Sequence, residues 1–499
     1  MKKIKYITTG LAAALMLTFS SCDDFLDVNV NPNSPVSAPI PQVLTNVTVN
    51  TGFRNGSDLH RFTSLIMQQF SGQAGPTVQT REYQRYLIQP SDLNNMYNAF
   101  FAVALPDIEY IINNSEGSPH YSGIAKILKG YTYAQTVDIW GDVPFTEALQ
   151  GTSNTTPKLD DDAAVYAEVL RLIDEGIAEI KADASNLSPS NNETIYRGDR
   201  LKWEKFANTL KLRLFLRYSE SDPAFAETQM DALIASGVPL MDSNADNFEM
   251  AFVDAASSQN PIHQFEVSRL NYTFANKFLV DLMNSKTDPR RSSYFTDYPY
   301  GSGQYVGAAA GDPESFAYSR LHTYLRGPLK TALAPDAEGR IPASTANNAA
   351  YTGDAPIRML TFAEYNFIRA EYALRFGGDA ETALPFFQAG IKASMTDAGV
   401  PDAEQQTYIA TNGLLVGSPA QMLEQIVIEK YIANYGVALE PWNDWRRTGY
   451  PAITPVPASI AATDYIPRSL YYPEAETNTN PNIPQKSDMK VRLFWDTRQ

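Results

Sequence analysis

The feature that most restricts this chain is a pair of helically spaced apolar patterns joined by a short turn, TFAEYNFIRAEYALRFGGDAETALPFFQAGIKASM at 361–395. Ala370 and Ala373 share one side of the first pattern. Gly377, Gly378 and Asp379 end it and cap the next, from which Ala383 and Phe387 face back. Small residues at a crossing, with a large aromatic one turn on, describe antiparallel helices packed as in tetratricopeptide (TPR) units. Pro385 is a point where the second helix is expected to kink. The pattern recurs upstream. DDAAVYAEVLRLIDEGIAEIK puts Val165, Val169, Leu172, Gly176 and Ile180 on one face, and Asp160, Asp161 and Asp162 stand at its start, where the helix dipole favours acids. GDRLKWEKFANTLKLRLFLRYSE stripes Trp203, Phe206, Leu210 and Leu214, with Asp199 as N-cap. Further helical segments are predicted near 92–114, 120–138, 226–236, 362–376, 380–396 and 420–436.

Between these lie irregular stretches, chiefly 240–265, 286–355 and 450–499, longer than connections need and therefore candidates for function. The expected fold class is all-α: a TPR-like helical-pair scaffold with a large loop-rich variable portion, chiefly 240–355, and a few short strands.

The N-terminus sets the compartment. Lys2, Lys3 and Lys5 precede an apolar run from Leu11 to Phe19, and Ser20 and Ser21 follow, the pattern of a secretory signal over 1–21. The run is shorter than the ~20 apolar residues that cross a bilayer. Cys22, directly after the serines, is the only cysteine in the sequence, so an internal disulfide is impossible. A thioether-linked diacylglycerol at Cys22 accounts for it, and several acyl chains would hold the protein to a membrane by the lipid anchor alone. The stretch 22–42, with Pro32, Pro35, Pro39 and Pro41, is expected to be an extended tether ahead of a single body over 43–499. Removing the three lysines of 1–21 takes the net charge from −16 to −19, which argues against nucleic acid as a partner.

No catalytic constellation is present. His60, His120, His263 and His322 form neither HExxH nor HxH, and no GxSxG elbow occurs. GSGQYVG at 301–307 does not match a dinucleotide-binding fingerprint. DSNADN at 242–247 begins like a calcium loop but has Asn247 where the Gly belongs and Val253 at position twelve. No enzyme activity, metal or cofactor is expected.

Six fragments in order, CDDFLDVNVNPNSP, GDRLKWEKFANTLKLRLFLR, AGIKASM, EKYIANYGVALEPWNDWRRTGYP, IPRSLYYPEAETNTNPN and the terminal FWD, together resemble SusD/RagB-type outer-membrane lipoproteins, in particular the SusD-like subgroup with the RRTGYP stretch. Ser469 departs from the pattern, where the subgroup usually has a second Arg after IPR. The resemblance implies a surface lipoprotein of the outer membrane that sits as a lid on a SusC-like TonB-dependent transporter. Such a lid captures a nutrient, usually an oligosaccharide, and delivers it to the barrel. Asp23 and Asp24 resemble the acidic signal that sends such lipoproteins to the outer face. A peptide ligand in the same lid role, or a TPR-like envelope adaptor without transport, are the alternatives.

Sugars offer C–H faces that lie on aromatics and hydroxyls that pair with planar amide, carboxylate and guanidinium groups. Two stretches carry that chemistry. TREYQRYLIQPSDLNNMYNAFF supplies Arg81, Tyr83, Asn94, Asn95 and Tyr97, and YFTDYPYGSGQY supplies Tyr298, Tyr300 and Tyr305. These are the expected ligand contacts. Trp442, Trp445, Arg446 and Arg447 are expected to be structural framework.

Overall fold

The computed structural model describes residues 38–72, 78–312 and 316–498, so the expectations for 1–37, including Cys22, Asp23 and Asp24, lie outside the described residues. Its helices are α1 (Ile40–Gly56), α2 (Asp58–Ile66), α3 (Gln79–Gln84), α4 (Asn94–Asn98), α5 (Leu105–Asn113), α6 (Pro119–Trp140), α7 (Asp162–Ile180), α8 (Arg200–Arg217), α9 (Pro223–Ala235), α10 (Pro261–Ser268), α11 (Lys277–Ser285), α12 (Phe362–Arg375), α13 (Ala380–Asp397), α14 (Asp402–Asn412), α15 (Pro419–Ala433) and α16 (Glu440–Thr448), with several short turns besides. The strands are β1 (Phe70–Gly72), β2 (Phe248–Met250), β3 (Thr273–Ala275) and β4 (Ile357–Leu360). They form two antiparallel two-stranded ribbons, β1–β3 and β2–β4. A mostly helical fold with a few short strands is what the periodicity predicts.

The helix pairs close as their small residues dictate. Gly123 of α6 meets Gly176 of α7: a Cβ on Gly123 would lie 2.7 Å from the Gly176 carbonyl oxygen, and one on Gly176 2.6 Å from that of Gly123. No side chain fits between the two backbones. In the α12–α13 pair, Ala370, Ala373, Ala383 and Phe387 are all buried, and Gly390 lies under the Phe367 ring. Caps fall where expected: the Asp199 carboxylate accepts from the Leu201 and Lys202 amides, and that of Asp379 from the Glu381 and Thr382 amides. Pro385 is carried inside a continuous α13.

Helix α1 begins at Ile40, within the stretch read as tether. Pro41 occupies its first turn, where a missing N–H costs nothing. The last three residues of that stretch, Ile40, Pro41 and Gln42, are therefore helical.

Buried ion pairs lock α8, α12, α15 and α16 together. Arg213 meets Glu364 at 2.6 Å, Arg217 meets Glu440 at 2.6 Å, and Lys430 meets Asp444 at 2.9 Å. Arg447 forks onto Glu371 and also reaches Asp444 at 3.0 Å. Arg446 lies 3.7 Å over the Trp442 ring and 4.8 Å from Trp495. This gives Trp442, Arg446 and Arg447 the framework role expected of them. Ser469 is buried and accepts from Lys486 Nζ at 3.0 Å, a contact that ties it to the C-terminal segment.

Candidate functional site

The loop-rich half assembles around the β1–β3 ribbon. Gly72 pairs with Thr273, and Thr80, which opens α3 beside Arg81, donates to the Tyr272 carbonyl at 2.7 Å. On the other side of β3, the Ala275 amide donates to the Ser319 carbonyl and the Ala308 amide to the Ala275 carbonyl. Extended segments around 306–308 and 316–321 are thereby laid alongside β3.

Non-local pairing of this kind gathers aromatic residues that are scattered in sequence. Phe265 of α10 and Tyr272 meet edge-to-face at 6.0 Å. Phe274, in β3, is buried and stacks with Phe316 at 6.0 Å and edge-on with Tyr318 at 6.0 Å. Arg61 of α2 lies 4.1 Å over the Phe265 ring, and Arg320 4.5 Å over Phe274. Phe265, Tyr272, Phe316 and Tyr318 are half-buried, while Val267 and Leu270 beside them are exposed. The result is a strip of half-buried rings, with guanidinium groups lying over Phe265 and Phe274.

The strip is held from beneath. Glu266 accepts from Thr273 and from Arg320, and Arg320 donates to the Asn271 side chain at 2.8 Å, fixing the left-handed turn (φ 63°) that presents Tyr272. Burial, and then the charge of Arg61, hold the neighbouring His60 down to about 3, so this imidazole is neutral and packs as a ring against Phe70 at 4.9 Å. Burial raises Glu266, with Arg320 opposing.

The residues singled out by sequence sit on three different supports. Arg81 and Tyr83 ride on α3, where Arg81 is half-buried beside β1 and next to the strip. Tyr83 is 1% exposed and stacked on Phe62 at 4.2 Å, so its ring is core rather than a surface for a ligand. Tyr97 is likewise core: it stacks on Phe101 at 4.4 Å and meets Trp140 at 5.2 Å. Tyr97 and Phe101 are four residues apart and pair along the chain, whereas Tyr83 is buried by Phe62 from another helix. Asn95 is exposed, and Asn94 accepts from the Ala475 amide at 3.0 Å, tying the C-terminal segment to α4. Tyr298 and Tyr300 stand on a loop whose Tyr300 amide donates to Gly339, with Tyr300 37% exposed. Tyr305 is half-buried under Arg291 at 5.2 Å. Phe265, Tyr272, Phe316 and Tyr318 were not anticipated. FEVSRLNYTF at 265–274, with aromatics at both ends of an exposed turn, was the available signal.

The calcium-like stretch is used otherwise. Asp242 and Asp246 pair with Lys205, and Asn244 and Asn247 turn to Asp397. Asp142, Asp161 and Asp162 bring carboxylates within 4.8 Å of one another, but each accepts a backbone amide around the start of α7 or from Phe494. They are explained as caps.

Antiparallel helix pairs carrying a loop-rich half with a strip of half-buried rings define the class of scaffold. The chain belongs to the SusD-like family described as starch-binding and associating with the outer membrane, whose profile matches residues 32–473. Among solved structures it is similar to a chitin-binding protein, at 24% identity and TM-score 0.76, covering 92% of this chain and 100% of that one. It is also similar to a SusD homolog from Bacteroides fragilis, at 19% identity and TM-score 0.73, covering 93% and 100%. A chitin-binding SusD homolog from Flavobacterium johnsoniae is similar at 22% identity and TM-score 0.73, covering 92% and 99%. At these identities the likenesses establish the fold. No curated protein matches the sequence.

Proposed function

We propose that this protein is a lipid-anchored, surface-exposed capture subunit of the outer membrane that binds an oligosaccharide on the Phe265–Tyr272–Phe316–Tyr318 strip and delivers it to a SusC-like TonB-dependent transporter. The observation that carries the reading is the strip itself. Half-buried rings grouped together, with arginines stacked over Phe265 and Phe274, offer the C–H contacts and hydroxyl partners that a glycan chain calls for. A peptide would call for backbone donors and acceptors along an exposed strand edge, whereas the strip offers rings. Cys22 would carry the lipid, and the proline-bearing segment after it would leave the body free to swing as a lid.

Starch and chitin fragments are the first ligands to test, given the family's description and the similar chitin-binding structures. Pull-down from detergent-solubilised outer membranes tests the partner. Co-purification with a large β-barrel is expected, and a Cys22-lipidated protein that purifies alone from native membranes would contradict the transport role.

A further inference from the structure

Helix α13 ends at Asp397, and the 242–247 segment is arranged around that carboxylate. Asn244 Nδ2 donates to Asp397 Oδ1 at 2.8 Å, and Asn247 Nδ2 donates to Oδ2 at 3.1 Å. Each oxygen is thus aimed by one amide and keeps a free lone pair. Two side-chain amides spent on one half-buried carboxylate make a preorganised double acceptor. Asp397 opens into a cleft of about 510 Å³ that shares no residue with the aromatic strip.

A donor stands in the same cleft. Arg358 lies flat over Tyr324, 4.0 Å from the ring centre, with its side chain 10% exposed. Its Nε has no hydrogen-bond partner, and Glu249 at 3.8 Å is beyond hydrogen-bond reach. That nitrogen is buried and turned toward Glu249, so the guanidinium's terminal nitrogens, on a residue that lines the cleft, are the donors available to a ligand oxygen. Pro328, Leu329 and Pro356 supply an apolar wall. Asp354 and Asp397 outnumber Arg358 along the lining, which disfavours an anionic ligand.

We propose that this cleft is a second saccharide site, independent of the strip, which takes a mono- to disaccharide length of neutral glycan. Asp397 accepts from two neighbouring hydroxyls, Arg358 donates to a hydroxyl or ring oxygen, and the C–H face of the sugar rests on Pro328 and Leu329. Acceptor, donor and apolar wall converge in a pocket of the size small-molecule sites have.

The test uses maltose, cellobiose and N,N′-diacetylchitobiose at millimolar concentration, read by saturation-transfer NMR on the full mature chain and by diffraction from soaked crystals. In a Phe265→Ala/Phe316→Ala background, at least one disaccharide is expected to keep its signal, with sugar density between Asp397 and Pro328. Adding Asp397→Asn is expected to weaken that binding at least about tenfold. Ser293→Trp, which narrows the cleft without altering Asp397 or Arg358, should give the same loss with thermal unfolding unchanged. No signal in the strip-deficient background, or a signal that both cleft variants leave intact, overturns the proposal. Binding removed by the strip variants alone eliminates the cleft and keeps the strip; binding removed by the cleft variants alone does the reverse.

Discussion

Glu440→Gln probes the buried charge network in its most connected place. Glu440 is 5% exposed, with Arg217 at 2.6 Å and Arg213 at 3.5 Å. Burial by itself would raise its carboxyl, but Arg213, Arg217 and then Lys430 bring it from 4.5 down to about 2. That displacement corresponds to roughly 3 kcal/mol of stability at neutral pH. It agrees in size with the ~3–5 kcal/mol lost when one member of a buried ion pair is removed. The sign follows from the depressed value. Between pH 4.5 and about 2 the unfolded chain takes up the proton and the folded chain does not, so acid removes this contribution across that window. Urea unfolding followed by tryptophan fluorescence should show the variant about 3 kcal/mol less stable at pH 7, with the gap closing as the pH falls toward 2. A gap below about 1 kcal/mol at pH 7, or one that stays constant down to pH 2, refutes the reasoning.

Gly123→Leu should destabilise the protein by at least about 1–3 kcal/mol in the same assay, because the first added carbon already collides with the Gly176 carbonyl. Tyr83→Ala should cost about 3–5 kcal/mol of stability through the lost Phe62 stack, while the folded variant binds oligosaccharide as before; a selective loss of affinity would return Tyr83 to the ligand surface. Cys22→Ala should move the protein from the membrane fraction to the soluble fraction, and persistent pelleting after a high-salt wash would exclude the lipid anchor.

The helix pairs were legible because their signal is local. Val165, Val169, Leu172, Gly176 and Ile180 are buried as the spacing demands, and Asp199 caps as its position requires. Helix α1 was not legible. IPQVLTNVTVNTGFRNG is rich in β-branched residues and threonine, and it becomes a helix because tertiary packing buries Leu44, Val47, Thr48 and Thr51. The aromatic strip was hidden for a different reason. Phe265, Tyr272, Phe316 and Tyr318 come together only through the β1–β3 pairing and the bridges from Ala275, which no window of sequence contains. Tyr83 and Tyr97 misled because their polar neighbours suggested a surface, while a tertiary stack on Phe62 and the helical spacing to Phe101 decided their burial. Trp442 and the paired arginines read correctly as framework, since three large cationic and aromatic groups in one turn need a shared, internally compensated environment.

The central claim is that the ring strip binds oligosaccharide, and calorimetric titration of malto- and chito-oligosaccharides into the wild-type and Phe265→Ala/Phe316→Ala proteins tests it most directly. The account predicts saturable binding of at least one series and an affinity at least about tenfold weaker in the double variant, with thermal unfolding little changed. Equal affinity in the two proteins, or no oligosaccharide binding by the wild type, would contradict it.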